Sequence, residues 1–260
     1  MTFRFWSVFL LTVAPALAAP VLPMGDGEVM KFRVGWSIFT GAGEIAVSAK
    51  AEPAGDVPQL RVTTTTSSGG FLRTFYPFDA RAESVYNAQN GRLLFSNENS
   101  VSKRKQTQQS LVFDYEHHKA SYLNSVRPDR TAELELPAGN PMDLITSLIQ
   151  TRTWNLKPGE KQDALVIFDD EFYELTIYAE GYEDLRTPLG KFKTLKLVPR
   201  MEKTPPKGMF KRGSTVSVWI SQDERHLPVR FEVEFKFGAG VATLVEYQPA
   251  TPAHAQDPRP

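Results

Sequence analysis

The sequence contains no cysteine. That absence excludes disulfides, thiolate metal sites, iron–sulfur clusters and cysteine nucleophiles. It also has no surplus charge, because 30 Lys and Arg balance 30 Asp and Glu. A neutral chain carries no bulk field for nucleic acid or an anionic membrane. Histidine is scarce, at four residues. His117 and His118 are adjacent and would point to opposite faces of a strand, while His226 and His254 fall in a turn and the tail, so no metal site is expected. Asp169-Asp170-Glu171 lacks the ligand spacing of a calcium loop and reads as a solvated hairpin tip. Gly41-Ala42-Gly43 has neither the third glycine nor the helix of a dinucleotide fingerprint. Ser67-Ser68-Gly69-Gly70 lacks nucleophile-elbow spacing. Lys103-Arg104-Lys105 has no aromatic neighbours for base stacking, so a nucleic-acid partner is not expected. No catalytic, cofactor or metal residue is assigned. Glycosidase-type carboxylates can lie far apart in a chain, and Glu44, Asp79, Glu83, Asp143 and Asp223 are the candidates, each with a structural role to hand.

Long apolar runs are missing too, and none reaches the ~18 residues that a membrane span requires. Residues 1–18 have the pattern of a secretory signal. Arg4 supplies the positive charge, residues 5–13 the apolar segment, and Ala16-Leu17-Ala18 the small-residue cleavage site. Cleavage is expected after Ala18 or Ala19, which sends the mature chain to the periplasm. Acylation as a lipoprotein would need a cysteine.

What the chain has is alternation. In residues 30–38 the even positions are apolar, and residues 229–237 place only apolar side chains on one face and charges on the other. Weaker versions occur at 45–49, 60–66, 110–115, 119–123, 131–136, 164–168, 172–179, 192–198, 215–220 and 241–247. Residues 40–43, 87–91, 157–160 and 187–190 carry turn chemistry between strands. One helix is predicted over about 141–153, with Asn140 as N-cap, Pro141 in the first turn, and Met142, Ile145, Leu148 and Ile149 as its apolar stripe. The expected fold is all-β and mainly antiparallel: a curved sheet forming an open or half barrel, with that helix packed on its apolar face. The alternative is a β-sandwich. Residues 19–248 are expected to form one domain. Residues 202–213 read as a mobile loop and 249–260 as a disordered tail.

Several segments resemble the bacterial domain-of-unknown-function 3108 family of exported envelope proteins. They are the opening hairpin from Gly27-Glu28 through Trp36 to Gly41-Ala42-Gly43, the helix Pro141-Met142-Asp143 to Thr151-Arg152, the turn before a strand from Glu183 through Thr187-Pro188-Leu189-Gly190 to Phe192, and the hairpin from Val218-Trp219 through Ser221, Asp223 and Pro228 to Val229. The resemblance implies a compartment and a curved antiparallel sheet, but no activity. Its motif residues Glu28, Gly41, Gly43, Asp143, Ser147, Arg152, Gly190, Asp223 and Pro228 have structural readings. Asp143 would cap a helix, Gly190 would supply a positive φ, and Asp223 would bond its own turn.

Three functions compete. The first is a non-catalytic periplasmic carrier or scaffold for an apolar or amphiphilic envelope molecule, with Trp36, Trp154, Trp219, Phe231 and Phe235 lining its cavity. The second is a protein–protein interaction module of an envelope assembly. The third is a hydrolase of envelope polymers.

Overall fold

The structure is a computed structural model and describes residues 22–36, 39–54, 57–206, 208–210, 213–236 and 238–251. The expected signal, residues 1–18, and residues 252–260 of the expected tail at 249–260 lie outside these. The alternating segments become β1 (Val29–Trp36), β2 (Phe39–Ala54), β3 (Val57–Ser68), β4 (Phe78–Asn87), β5 (Leu93–Ser102), β6 (Gln106–Asp114), β7 (Lys119–Asn124) and β8 (Ala132–Glu135). Then follow β9 (Met142–Asp143), β10 (Lys161–Phe168), β11 (Glu171–Thr187), β12 (Gly190–Arg200), β13 (Thr215–Ser221), β14 (Pro228–Phe235) and β15 (Gly238–Gln248). Two short helices, α1 (Gly70–Phe75) and α2 (Leu144–Gln150), interrupt them.

All fifteen strands belong to one sheet, ordered β8 to β1 and then β15 to β9. Neighbours are antiparallel except β9, which runs parallel to β10 through Met142 opposite Val166. The first and last strands, β1 and β15, pair in the middle of the sheet. Strands β8 and β9 follow one another in sequence yet form its two edges, so the sheet is curved but not closed. A sandwich of two sheets does not form.

Curvature brings the inner faces of the two halves together around α2. Ile145 and Ile149 pack into one apolar cluster with Met30, Phe32, Tyr86 and Leu244. Leu144 and Leu148, on the adjoining stripe, pack into a second with Val166, Ile177, Leu197 and Val218. The helix thus fills the interior between the halves, as its apolar pattern requires.

The structure corrects four local expectations. The helix does not start at Pro141. Residues 142–143 stay extended to pair with β10, and Asp143 is the N-cap, accepting the Thr146 N–H at 2.9 Å. Residues 40–43 are not a turn but part of β2, where Gly41 adopts φ +79°. A Cβ on Gly43 would meet the Ser67 carbonyl oxygen at 2.4 Å, so this strand crossing requires glycine. Helix α1 and strands β4 and β5 were not anticipated. The 169–171 tip is a hairpin turn, yet it is not simply solvated, since Asp169 and Asp170 bond across to the other half of the sheet.

Candidate functional site

Register sorts the inner face of β3–β7 into rows. Nearest residues 22–28, Leu60, Tyr86 and Leu93 make an apolar row. The next row is Val62, Ser84, Ser96, Leu111 and Tyr122. The one after is Thr64, Ala82, Glu98, Gln109 and Asn124. The wall becomes polar away from that first row. The facing side remains apolar, with Leu144 and Ile145 of α2 and Ile167 and Phe168 of β10. Between them lies a cavity of about 340 Å³, lined by Thr64, Ser84, Ser96, Glu98, Gln109, Asp143, Leu144, Ile167, Phe168 and Met209 among others. A smaller apolar annex of about 60 Å³ shares Leu144, Phe168 and Met209 with it and adds Val166, Tyr173, Leu175, Met201 and Phe210.

Side chains on the polar wall form a directed chain. The Asn124 amide donates to the Tyr122 hydroxyl at 2.8 Å, and that hydroxyl donates to Gln109 Oε1 at 2.9 Å. The Gln109 amide nitrogen is therefore turned toward two carboxylates and donates to Glu98 Oε2 and Asp169 Oδ1, each at 3.0 Å. Burial pushes the Glu98 carboxyl above its ordinary value, and the negative Asp169 beside it adds to the shift. Asp143 joins from α2. Its Oδ2 accepts the buried Tyr86 hydroxyl at 3.0 Å. Burial, reinforced by Asp143, lifts Tyr86 well above a normal phenol. The wall is rich in acceptors, which suits a ligand that brings hydrogen-bond donors. Among the described residues, no group of three or more His, Cys, Asp or Glu is arranged to hold a metal ion.

Of the acidic candidates, only Asp143 lines the cavity. Asp79 pairs with Arg73 at 2.7 Å, Glu83 with Arg81 at 2.5 Å and Asp223 with Arg225 at 2.5 Å. Burial would raise the Asp223 carboxyl, but the Arg225 and Ser221 hydrogen bonds outweigh it and hold it low.

The motif residues divide between places. Glu28 and Arg152, 124 positions apart, form a buried ion pair at 2.7 Å. Arg152 also donates to the carbonyls of Pro23, Arg225 and His226. Glu28 also accepts the Tyr247 hydroxyl and the Gly25 N–H. Asp223 braces this network by accepting the Ser221 hydroxyl, and Pro228 opens β14 just beyond. Ala250 and Thr251, from the expected tail, pack against Gly25 and Gly27. Every oxygen of Glu28 is engaged, so this end of the molecule is a structural clasp. An open depression of about 1170 Å³ lies over it. Gly190 takes φ +127° in the β11–β12 turn. Ser147 is fully buried and bonds the Leu144 carbonyl within α2. Gly41 and Gly43 lie near the other end.

None of the five expected lining aromatics borders the cavity or its annex. Phe231 touches both apolar clusters, and Trp154 packs on the second. Register places Trp219 opposite Lys196 and Arg230, on the face away from Val218, and its indole N–H donates to Glu183 at 2.8 Å. Trp36 and Phe235 meet at the far end, with ring centroids 5.6 Å apart.

Glu98, Gln109, Asp169 and the Ser and Thr of the polar wall were missed. Strand β5 reads Leu-Leu-Phe-Ser-Asn-Glu-Asn-Ser-Val-Ser, polar on both faces from Ser96 to Ser100, so it shows no alternation.

Residues 31–245 match the model of DUF3108, described as a protein of unknown function. The chain belongs to this family. No curated protein matches the chain. Among solved structures it is similar to a β-barrel-like protein of domain of unknown function DUF1849 from Brucella abortus. That match has a TM-score of 0.55 and 6 % identity over 88 % of this chain and 99 % of the other. Weaker likenesses include a DUF1089 family protein from Pseudomonas aeruginosa, with a TM-score of 0.37 and 11 % identity over 87 % of this chain and 95 % of the other. Another is a protein described as exported, with a YmcC-like fold, from Bacteroides fragilis, with a TM-score of 0.37 and 11 % identity over 89 % of this chain and 100 % of the other. At these identities the likeness speaks to the fold alone. For DUF3108 the family and the barrel-like fold stand together; among the described residues no helix is long and apolar enough to cross a membrane.

Proposed function

We propose that this DUF3108 protein is an exported, non-catalytic carrier or scaffold for a single-chain amphiphile of the cell envelope. On this reading residues 1–18 are its cleaved leader, residues 19–248 its domain and the periplasm its compartment. The observation that carries the proposal is the cavity with two unlike walls. An alkyl chain would lie along Leu144, Val166 and Leu175, and the head group would meet Thr64, Ser84, Ser96, Glu98 and Gln109. The volume of about 340 Å³ is near the lower end of the ~300–1,000 Å³ typical of ligand sites, which favours one chain over several. Glu98, Asp143 and Asp169 favour an ammonium or hydroxyl head group over a bare carboxylate.

The test is native mass spectrometry of protein recovered from the periplasm, followed by titration of delipidated protein. Lysophosphatidylethanolamine should raise Tm in proportion to occupancy, and a fatty acid of equal length should do so less. If neither a co-purifying adduct nor a ligand-dependent Tm is found, the carrier reading fails.

One observation favours a second reading, an envelope-polymer hydrolase. Glu98 has a raised pKa next to Asp169, the environment in which one carboxyl stays protonated as a general acid. Turnover of peptidoglycan fragments or envelope glycans that vanishes in Glu98→Gln, while binding persists, would select it.

A further inference from the structure

The end of the molecule opposite the Glu28–Arg152 clasp carries an exposed aromatic rim. Phe235 packs on Trp36, whose strand partner across the β1–β2 connection is Phe39. Phe39 stacks on Phe71 at 6.3 Å, and Phe71 meets Phe75 at 4.7 Å. These rings cover one another only partly, since Phe71 is 67 % and Phe75 60 % exposed. Helix α1 buries none of its residues, so packing does not account for its phenylalanines. The Phe78–Ser102 pairing sets the β5–β6 turn beside this helix, and that turn carries exposed Lys103, Arg104 and Lys105. Among the described residues these three cations have no acidic side chain in ion-pair reach.

We propose that this rim docks on a phospholipid bilayer that includes anionic lipid, with the rings of Trp36, Phe39, Phe71 and Phe75 seated at the head-group level. The proposal rests on the carrier reading and deepens it by giving the amphiphile a donor surface. Three features select a bilayer over a folded partner. The rings come from two separate places on one rim, the facing ends of β1 and β2 and helix α1, and can enter a fluid surface without a matching shape. Trp at the rim has the amphipathic character found at membrane interfaces, and the basic turn beside it complements anionic head groups. The cavity also lies at this end. Phe78, three residues beyond Phe75, and Met209, from the β12–β13 connection, both line it. A single-chain amphiphile could then pass between bilayer and cavity without crossing water. Overall neutrality does not oppose this, because the surface acts through a local turn and not the net charge.

The experiment is co-sedimentation of the mature protein with vesicles of phosphatidylethanolamine and phosphatidylglycerol, and with vesicles of phosphatidylcholine alone. The expected result is binding to the first, weaker binding to the second, and a blue shift of tryptophan emission that Trp36→Phe removes. The double variant Phe71→Ser/Phe75→Ser should lose about tenfold or more in vesicle affinity. It should keep the parent Tm, because both side chains are exposed. Lys103→Gln/Arg104→Gln/Lys105→Gln should erase the preference for anionic vesicles. Cavity binding is measured apart, with lysophosphatidylethanolamine below its micelle concentration and no vesicles, and the rim variants should retain it. Cavity binding without vesicle binding by the parent overturns docking and leaves the carrier reading standing. Undiminished vesicle binding by the double serine variant also overturns docking. So does capture of one envelope protein by the rim with no affinity for lipid-only vesicles. Vesicle binding without cavity binding would instead overturn the carrier reading.

Discussion

Glu98 occupies a position where a neutral side chain would cost less. Its neighbours in the row are Ala82 and Gln109, and Asp169 faces it through the same Gln109 amide. The folded protein holds the Glu98 proton more tightly than the unfolded chain does, because burial and Asp169 raise it. Ionisation of Glu98 therefore subtracts stability near neutral pH. The penalty is complete above the raised folded value and absent below the ordinary glutamate value of about 4.3. Glu98→Gln keeps an acceptor for Gln109 and is expected to raise Tm at neutral pH. The gain should shrink as pH falls through that window, while affinity for an ammonium-bearing amphiphile drops. A neutral-pH Tm at or below that of the parent would mean that Glu98 is a structural residue. Arg152 is the opposite case. Its partner Glu28 has a side chain only 4 % exposed, and Arg152 ties three carbonyls together besides. Arg152→Ala would leave a buried carboxylate unpaired at a cost of about 3–5 kcal/mol. Arg152→Lys should recover little of that, since a single ammonium cannot span the same fork. Urea denaturation measures both, and a loss below about 1 kcal/mol would contradict the clasp.

Strands with one dry and one wet face announced themselves. Met30 and Phe32 alternate with Lys31 and Arg33, and the structure buries the first pair and not the second. The turns at 87–91, 157–160 and 187–190 were equally plain, because their glycine, proline and asparagine chemistry is local. Strand β4 was obscured by small inward residues, Ala80, Ala82 and Ser84, and β5 by polar ones. Both make room for the cavity, so the features that hid them are the ones that matter for function. Helix α2 was found from its apolar stripe, but its start was misplaced by two elements of tertiary context. Residues 142–143 pair with β10, and Asp143 turns its side chain back to cap the helix. The Glu28–Arg152 pair could not be inferred from spacing, because 124 residues separate its members. Resemblance supplied both residues without their partnership. The aromatic expectation failed to find the cavity for a simple reason. The five expected rings sit in apolar clusters or at the rim, whereas the polar wall of the cavity is built from small and hydrophilic side chains.

The molecule as a whole has one end locked and a long seam left unpaired. Strand pairing is continuous from β8 through β1 and β15 to β9, but nothing ladders β8 to β9. Side chains cross the gap instead: Tyr86 to Asp143, Gln109 to Asp169 and Arg130 to Asp170, the last at 2.5 Å. The Arg130 and Asp170 side chains are 36 % and 24 % exposed, so their pair should contribute about 0.2–1 kcal/mol, far less than the clasp. A seam held this way can open locally while the sheet stays folded. Arg130→Ala is expected to leave Tm within a few degrees of the parent. Amide exchange should accelerate in β7, β8 and the β10–β11 tip, and remain slow in the Leu60–Tyr86–Leu93 row near the clasp. A bound amphiphile that bridges both walls should slow exchange at the seam in the parent and the variant alike. Uniform acceleration across all strands, with a large fall in Tm, would instead mean that the seam is part of one cooperative closure. The cavity would then have to fill and empty through its aromatic rim alone.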